Sequence, residues 1–553
     1  MMSFASTLAD MQRALVTTDD RTGRMWSLSR PDRSARRRSL RLLAAAMVAV
    51  GILTGCTAGP DPGPDLVIEE NNGGGQAPTT TPPPPSLEVP KQDLAWRECG
   101  DDLQERFPGT ALAPGVTFEC GNFENSVTPG TQSIDTVTVS AVRARSADTP
   151  ADAAPLVLTS GTDIPSTRTL LSLAQGGGRN LLSAHPVVAV DRRGTGASTP
   201  LDCMTNLERN TLLNNGFSTS SADYPARVER LAAAGTSASD GCTEILSPHQ
   251  VQFTANNAAA DLEKLRTVWQ VDRIGIAGVG EGAAVALAYA GLYTDHLARL
   301  ILDTPAPYST NAQTTGQQIA EGTGAALGLF ADQCRAISCS LGADPGVVIA
   351  GLLDRARTGG LDGIADTDVL AALTTTIALA PGDRATVITT AADMLSAADG
   401  GALGPLRTAI GQARALRGTD GQLLSQCNDT FEPVGRNQID GLIAEWGRQY
   451  PLTGAGTALG LLRCNGFPAG AAPPTIGEIP VPVLMFTGSG DTINGATASD
   501  GINGALIGAG ATSSILSWEG LGYSVLAHSD CAGEAAISYA RSGEPPAPGA
   551  CPA

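Results

Sequence analysis

A glycine-rich turn stands where an apolar strand passes into a helix of small residues. The turn is Gly278-Val-Gly280-Glu281-Gly282, preceded by Ile-Gly-Ile-Ala and followed by Ala-Ala-Val-Ala-Leu-Ala. This is the context of the motif G-x-S-x-G, in which a strained turn lifts a serine nucleophile above the edge of a sheet. Gly280 occupies the serine position and has no side chain that could attack a carbonyl carbon. Taken alone, the segment is explained equally well by a structural turn without a chemical role.

The elements around this turn predict an α/β fold. Seven apolar runs predict strands, and several are continuous, as in a sheet covered on both faces. Helical patterns at 258–269 and 283–293 flank the turn. Alternation of strands and helices indicates a mostly parallel sheet with helices on both faces. The predicted strands are 137–142, 156–158, 187–190, 274–277, 300–302, 483–486 and 515–518.

The pattern changes between residues 305 and 480. Ala- and Leu-rich stretches with helical spacing replace the strand signals there, for example at 348–357, 369–380 and 442–449. We interpret 305–480 as a mainly helical lid inserted into the α/β core, whose two parts are 93–304 and 481–553.

The N-terminus predicts export and lipidation. Five arginines between 33 and 41 precede the apolar run 42–53, which ends in Leu53-Thr-Gly-Cys56. The run is too short for a comfortable membrane span and has the form of a signal peptide with a lipobox. We expect residues 1–55 to be a signal peptide with an N-terminal extension, and Cys56 to carry lipid. An ordinary signal peptide or a buried helix is the alternative. Residues 56–92, rich in Pro, Gly, Thr and Asn, predict a disordered tether.

The cysteines agree with an extracytoplasmic location, at the membrane or secreted. Eleven are present, and ten remain when Cys56 is lipidated, which is enough for five disulfides. Sequence does not fix their connectivity, and pairing of neighbours is the simplest hypothesis. A metal site is the alternative, but no Cys-x-x-Cys pair exists and the four histidines are far apart, so we expect neither metal nor cofactor. The expected pairs are Cys99–Cys120, Cys203–Cys242, Cys334–Cys339, Cys427–Cys464 and Cys531–Cys551.

The charge excludes one class of partner. With 36 basic and 55 acidic residues the net charge is −19. Phosphate contacts need a basic face, so nucleic-acid binding is not expected.

Several further segments match one family in order, from Trp96 to the C-terminus. These are Asp191-Arg-Arg-Gly194-Thr-Gly196-Ala-Ser198-Thr-Pro200-Leu-Asp-Cys203, Thr254-Ala-Asn256, Asp261-Leu, Val271-Asp-Arg273, Leu300-Ile-Leu-Asp303, Cys464-Asn-Gly-Phe-Pro468 and the spaced Cys531 and Cys551. Together with the glycine turn they resemble the secreted TAP-like α/β-hydrolases, the tripeptidyl-aminopeptidase and proline-iminopeptidase-like proteins of actinobacteria. The resemblance implies an α/β-hydrolase fold and a Ser-Asp-His site.

The resemblance allows each catalytic position to be inspected. Asp491, in Gly488-Ser-Gly-Asp491, matches the acid, although an aspartate that only caps a loop would fit as well. The base position of G-x-G-H-x-V is Tyr523, a poor general base at neutral pH because its ordinary pKa is near 10. His185, His249 and His296 match no catalytic position. His528, five residues further on, is interpreted as a surface or cap residue.

The loop that should supply oxyanion donors has also changed. The family's glycine-rich stretch is replaced here by Thr159-Ser160-Gly161-Thr-Asp163-Ile-Pro165. Asp163 would place negative charge where an oxyanion develops, which is the wrong sign for stabilisation.

These three changes predict a pseudoenzyme that binds a small peptide, another ligand or an envelope protein. The expected pocket is acidic and hydroxylated, lined by Asp491, Glu281, Tyr523 and Asp163, and would favour cationic groups. Two alternatives remain open. One is an active serine hydrolase, an exopeptidase or esterase, that uses Ser160 or Ser524 with His528, and the other is a structural component of the envelope.

Overall fold

The computed structural model describes residues 84–131 and 134–553. In it, the strands build one mixed sheet. Its strand order is β1-β2-β3-β5-β4-β6-β7-β8-β9-β10. Pairing is antiparallel from β1 to β3 and between β3 and β5, and parallel from β5 through β4 and β6 to β10. The strands are β1 Arg97–Glu98, β2 Val116–Ser126, β3 Thr136–Ser146, β4 Leu156–Thr159, β5 Val187–Val190, β6 Ile274–Val279, β7 Leu297–Asp303, β8 Val483–Gly490, β9 Ser513–Leu521 and β10 Gly549–Cys551.

Helices follow most strands, and a long helical insertion separates β7 from β8. The seven predicted strands are all present, while β1, β2 and β10 were not predicted. The helices are α1 Gly100–Arg106, α2 Ser166–Gln175, α3 Arg179–Ala184, α4 Asn206–Leu213, α5 Tyr224–Leu246, α6 Ala255–Trp269, α7 Gly282–Leu292, α8 Ala312–Ala336, α9 Pro345–Arg357, α10 Asp366–Leu379, α11 Arg384–Asp399, α12 Gly404–Arg417, α13 Asp420–Asp429, α14 Arg436–Gln449, α15 Gly454–Gly460, α16 Ser499–Gly508, α17 Val525–His528 and α18 Asp530–Ser542.

Both faces of the sheet are buried, which explains why the strand sequences are continuously apolar. Successive strand residues point to opposite faces. In β7, Leu300 and Leu302 belong to the core under α6, α7 and α16, whereas Ile301 belongs to the core under α2, α3 and α18. The predicted α/β-hydrolase fold, with helices on both faces, is confirmed.

The helical insertion has its own core in addition to its contact with the sheet. Apolar residues of α8 to α12 form a separate cluster that includes Leu327, Phe330, Leu373 and Leu395. Helices α13 to α15 pack instead into the core shared with α5 and the sheet, through residues such as Trp446. Helix α5 lies outside the predicted 305–480 segment but packs into the same core as α13 to α15.

The described part of the predicted tether, residues 84–92, lies against the folded unit. The backbone carbonyl of Trp269 accepts a hydrogen bond from the Lys91 N–H at 2.9 Å. Leu87 packs against the core on the α18 side, and the Pro85 carbonyl accepts a hydrogen bond from Arg299. An apolar side chain and satisfied backbone groups hold this segment. The signal peptide, Cys56 and the rest of the tether lie outside the described residues.

Five disulfides join the expected neighbours and confirm the predicted pairing. They connect Cys99–Cys120, Cys203–Cys242, Cys334–Cys339, Cys427–Cys464 and Cys531–Cys551. Such a set is compatible with an extracytoplasmic protein. Within the described ranges, no helix combines the length and apolar character that a membrane span requires.

Candidate functional site

The candidate site lies where two neighbouring parallel strands end. Strands β4 and β6 pair side by side, with Thr159 opposite Gly278, although β5 comes between them in sequence. Open α/β sheets bind ligands at such a switch of strand order, outside the carboxyl ends of the strands. The loop after β4 carries Asp163, and the turn after β6 carries Gly280.

Gly280 has the backbone of a nucleophile elbow but no room for a side chain. Its φ is +57°, a left-handed conformation that glycine adopts without strain. A Cβ built on this residue would lie 2.2 Å from Asp163 Oδ2, 2.6 Å from Asn494 Nδ2 and 2.7 Å from the Tyr523 hydroxyl. The space above the elbow is therefore filled by three polar groups of the protein itself.

The Asp163 carboxylate is the centre of this arrangement. Its Oδ2 accepts hydrogen bonds from the Glu281 backbone N–H at 2.8 Å, Asn494 Nδ2 at 2.7 Å and the Tyr523 hydroxyl at 3.3 Å. Burial raises the pKa of Asp163, and the hydrogen bonds and the charge of Arg417 partly oppose that rise. Three donors on one oxygen favour the ionised form of this group.

Internal carboxylates also occupy the backbone donors that an oxyanion hole uses. Those donors are the N–H after the nucleophile and an N–H from the loop that follows the neighbouring strand. Here the Glu281 N–H donates to Asp163, and the Thr162 N–H donates to Glu281 Oε2 at 2.7 Å. Gly161, at φ +59°, allows this close approach, since a Cβ there would lie 1.9 Å from Glu281 Oε2.

Asp491 lies after β8 and is wholly buried. Its Oδ1 accepts hydrogen bonds from the backbone N–H groups of Ile493 at 2.8 Å and Asn494 at 3.3 Å. Burial, with the negative charge of Asp163, raises the pKa of Asp491 to about 7. Asn494 thus links the two carboxylates, with its backbone N–H on Asp491 and its side chain on Asp163.

Tyr523 is held as a donor and is not available as a base. It is 1 % exposed, and its hydroxyl donates to the Val279 carbonyl at 3.2 Å as well as to Asp163. Burial and the charges of Asp163 and Asp491 raise the pKa of Tyr523 well above its ordinary value. Since Asp491 bonds backbone donors and Tyr523 bonds Asp163, the acid and base positions do not form a hydrogen-bonded pair.

The hydroxyls considered as relocated nucleophiles are bonded elsewhere. Ser160 Oγ donates to Thr169 Oγ1 at 2.8 Å, and Ser524 Oγ donates to Asp303 Oδ2 at 2.6 Å. Asp303 also accepts from two backbone N–H groups of α17, and burial raises its pKa to about 6. Asp303 therefore positions the turn that carries Tyr523.

His528, interpreted from sequence as a surface or cap residue, is half-buried at the last position of α17. Its ring stacks on Trp518 with centroids 5.9 Å apart and planes 8° apart, and Nε2 is buried. Burial lowers the pKa of His528 to about 4. Gly522 approaches the His528 ring closely, since a Cβ at that position would lie 2.5 Å from the ring.

Glu281 belongs to an ion triplet that joins the sheet to the lid. The fully buried Arg192 contacts Glu281 Oε1 at 3.1 Å through Nη1 and Asp429 Oδ2 at 2.5 Å through Nη2. Burial and the nearby carboxylates outweigh Arg192 and raise the pKa of Glu281 to about 7. One arginine thus serves two carboxylates from different parts of the chain.

A cavity of about 530 Å³ opens beside these groups, between the sheet edge and the helical insertion. Asp163 and Glu281 line it, but Asp491 and Tyr523 are sealed beneath and do not. The expected acidic, hydroxylated lining is therefore wrong for those two residues. Arg414, Arg417 and Arg463, which the sequence analysis did not single out, line the cavity as well.

The missed residues carried little sequence signal. Arg192 falls in the segment that resembles the TAP-like family, whereas Asn494, Arg417 and Arg463 fall in no motif. In the described part of the chain, no group of three or more His, Cys, Asp or Glu could hold a metal ion.

The fold and the site define the class of protein. A mostly parallel sheet with a glycine elbow after β6, an aspartate after β8 and helices inserted between β7 and β8 is an α/β-hydrolase-fold architecture. The family model described as TAP-like protein matches residues 450–551, which run from the end of α14 through β8 and β9 to Cys551. This match confirms the TAP-like resemblance for the C-terminal part of the chain.

Solved structures of hydrolase-fold proteins are similar at low identity. An esterase from a Rhodococcus species is 12 % identical, covers 76 % of this chain and 99 % of its own, and has a TM-score of 0.35. A thermophilic esterase from Thermogutta terrifontis is 14 % identical with coverages of 73 % and 91 % and a TM-score of 0.27. A bromoperoxidase from Bacillus anthracis is 10 % identical with coverages of 72 % and 91 % and a TM-score of 0.31. No curated protein matches the sequence significantly.

Proposed function

We propose that this protein is a catalytically inactive α/β-hydrolase-fold protein that binds a ligand in the cavity beside its former elbow. The observation that carries the proposal is the position of the Asp163 carboxylate. It fills the space above Gly280 and accepts the Glu281 N–H that an oxyanion would need. A negative group at this place opposes the charge that acyl transfer develops.

Two further features support the loss of chemistry and the retention of binding. The Tyr523 hydroxyl donates a hydrogen bond to Asp163, and its raised pKa keeps it protonated, so it cannot accept a proton at neutral pH. A cavity of about 530 Å³ is within the range that small ligands occupy. The cleft is thus large enough for a small ligand although its reactive groups are absent.

The location is part of the same proposal. The lipobox-like Leu53-Thr-Gly-Cys56 supports lipid anchoring of an exported protein, and the five disulfides agree with an oxidising compartment. Metabolic labelling with an alkyne-tagged fatty acid tests the anchor. We expect label in the wild type and none in Cys56→Ala, whereas equal labelling of both would contradict lipidation at Cys56.

Fluorophosphonate labelling tests the absence of a nucleophile. The purified protein should show no stoichiometric label and no turnover of chromogenic esters or aminoacyl-peptide substrates. Ser160→Ala and Ser524→Ala serve as matched variants, because those two hydroxyls are the candidate nucleophiles when position 280 is a glycine. Labelling of one serine that disappears in its alanine variant would overturn the proposal in favour of an active hydrolase.

Restoring the motif tests why the site is inactive. Gly280→Ser with Tyr523→His keeps the Asp163 carboxylate beside the Glu281 N–H, 2.2 Å from the new Cβ, so the two side chains conflict and we expect this double variant to remain inactive. Adding Asp163→Gly removes the carboxylate and frees that donor. Hydrolysis by the triple variant alone would support the role of Asp163, whereas equal activity of the double variant would contradict it.

A further inference from the structure

Positive charge without a carboxylate partner lines the cavity. Arg463 and Arg417 both line it, and both are half-buried. No carboxylate of residues 84–131 or 134–553 lies within ion-pair distance of either guanidinium. Arginines removed from water are normally paired, because an uncompensated buried charge is costly.

The acidic groups of the cavity are already occupied. Asp368 accepts hydrogen bonds from Nε and Nη2 of Arg414 at 2.7–3.0 Å. Glu281 and Asp429 share Arg192. Asp163 accepts its three hydrogen bonds inside the elbow. The charged groups left free to meet a ligand are therefore cationic. The sequence had predicted the reverse, an acidic pocket that favours cationic ligands.

Arg463 is presented by a buried amide. Asn215 is wholly buried, and its Oδ1 accepts the Arg463 Nε–H at 2.8 Å while its Nδ2 donates to the Gly456 carbonyl at 2.8 Å. This fixes the plane of the guanidinium and leaves its two Nη groups, with four N–H donors, for another partner. The charges that act on Arg463 at longer range are those of Arg417, Asp368 and Arg227.

Arg417 is held less firmly. The only side-chain hydrogen bond of Arg417 within the described ranges joins Nη1 to Thr374 Oγ1 at 3.4 Å. The charges of Asp163 and Asp491 act on it at longer range. Arg417 thus interacts electrostatically with the carboxylates at the elbow and with Arg463.

We propose that the cavity binds a monocarboxylate with an apolar body, whose carboxylate is received by Arg463 and Arg417. A guanidinium matches a carboxylate through two parallel N–H bonds. Ile319, Leu370 and Leu461 line the same cavity and suit an aliphatic body. The four acidic residues in the lining, Asp163, Glu281, Asp368 and Asp429, disfavour a multiply charged anion such as phosphate. This inference rests on the proposed ligand-binding function and specifies its ligand.

Two sources share this chemistry, a fatty acid and the C-terminus of a short peptide. Isothermal titration of the full-length protein compares octanoate with octanol and octylammonium, and N-acetyl-leucyl-leucine with its C-terminal amide. We expect each carboxylate that binds to do so at least tenfold more tightly than its uncharged or cationic counterpart. Binding of octanoate alone indicates a lipid ligand, and binding of the peptide acid alone indicates a peptide.

Arg463→Gln should weaken carboxylate binding at least tenfold, and Arg417→Gln should weaken it as well. Arg384→Gln, at an exposed position in α11, makes the same charge change and should leave binding unaltered. Unchanged affinity in Arg463→Gln, no binding of any carboxylate, or octylammonium binding as tightly as octanoate would overturn the inference. If a variant does not fold, the comparison of the carboxylates with their neutral and cationic counterparts on the wild-type protein decides the outcome.

The two proposals fail in different ways. Absence of carboxylate binding, with no fluorophosphonate label, removes this inference and leaves an inactive protein with another ligand. Stoichiometric serine labelling with intact carboxylate binding removes the proposed inactivity and leaves the arginine site.

Discussion

At the residue scale, the Asp163 carboxylate excludes a side chain at position 280. Gly280→Ala adds a Cβ 2.2 Å from Asp163 Oδ2 at a φ of +57°. Left-handed strain and overpacking together should lower the free energy of unfolding by about 2–5 kcal/mol, measured by urea denaturation. Gly328→Ala in α8, where a Cβ would meet nothing within 4 Å, is the control and should be neutral or stabilising.

A double-mutant cycle separates the steric conflict from backbone strain. Asp163→Gly in the Gly280→Ala background removes the clashing oxygen, so the two costs should not add. We expect the double variant to be more stable than the sum predicts by at least about 1 kcal/mol. Strict additivity would mean that Asp163 does not fill the space above the elbow.

Asp491 makes stability depend on pH. Its pKa is about 7 in the folded protein, against an ordinary 3.8, so the folded state keeps a proton that the unfolded chain releases. Its contribution to stability is therefore present below about pH 4 and is lost as the pH rises to about 7.

Asp491→Asn should flatten this part of the profile. Asparagine keeps an oxygen for the Ile493 N–H but does not titrate. The loss of unfolding free energy between pH 4 and pH 7 should shrink by about 2–4 kcal/mol. Asp202→Asn, at a side chain 93 % exposed, should not alter the profile. An unchanged slope in Asp491→Asn would contradict the raised pKa.

At the scale of elements, the disulfides differ in how much chain they close. Cys427–Cys464 joins the end of α13 to the turn after α15 across 37 residues, whereas Cys334–Cys339 closes only 5 at the end of α8. Loop-closure entropy predicts about 4 kcal/mol for the first and about 2 kcal/mol for the second. Paired Cys→Ala variants, compared by urea denaturation, should show that order, and the reverse order would contradict the entropic account.

At the scale of the whole molecule, Arg192 couples the sheet to the helical insertion. Arg192 follows β5 in the chain, and its guanidinium contacts Glu281 of the elbow and Asp429 of α13. Arg192→Gln leaves two carboxylates without their cation and should lower the free energy of unfolding by about 3–5 kcal/mol.

The matched control is Arg97→Gln, which breaks the exposed pair with Asp102, whose side chains are 66 % and 55 % exposed. That change should cost no more than about 1 kcal/mol. Limited proteolysis gives a second measurement, because loss of Arg192 should expose the segment between β7 and β8 to cleavage first. Equal stability of the two variants would mean that the triplet does not hold the insertion.

The sequence by itself determined the architecture, and its simplest hypothesis for the cysteine pairing was correct. Continuous apolar runs mark strands that are buried on both faces, and a glycine turn between such a run and a small-residue helix marks the elbow. These signals are local in the chain, because the period of burial and the backbone freedom of Gly280 depend on neighbouring residues. The five disulfides joined neighbours, so proximity in sequence was sufficient there too.

Only the tertiary structure decided what the site contains. Asp163, Asn494 and Tyr523 lie 117, 214 and 243 positions from Gly280 in sequence, yet they meet in the volume of one missing side chain. Which charges remain free in the cavity depends on which carboxylates are already paired, as Asp368 is by Arg414. Pairing is a property of distances in space, so a composition that is acidic overall produced a cavity whose free groups are cationic.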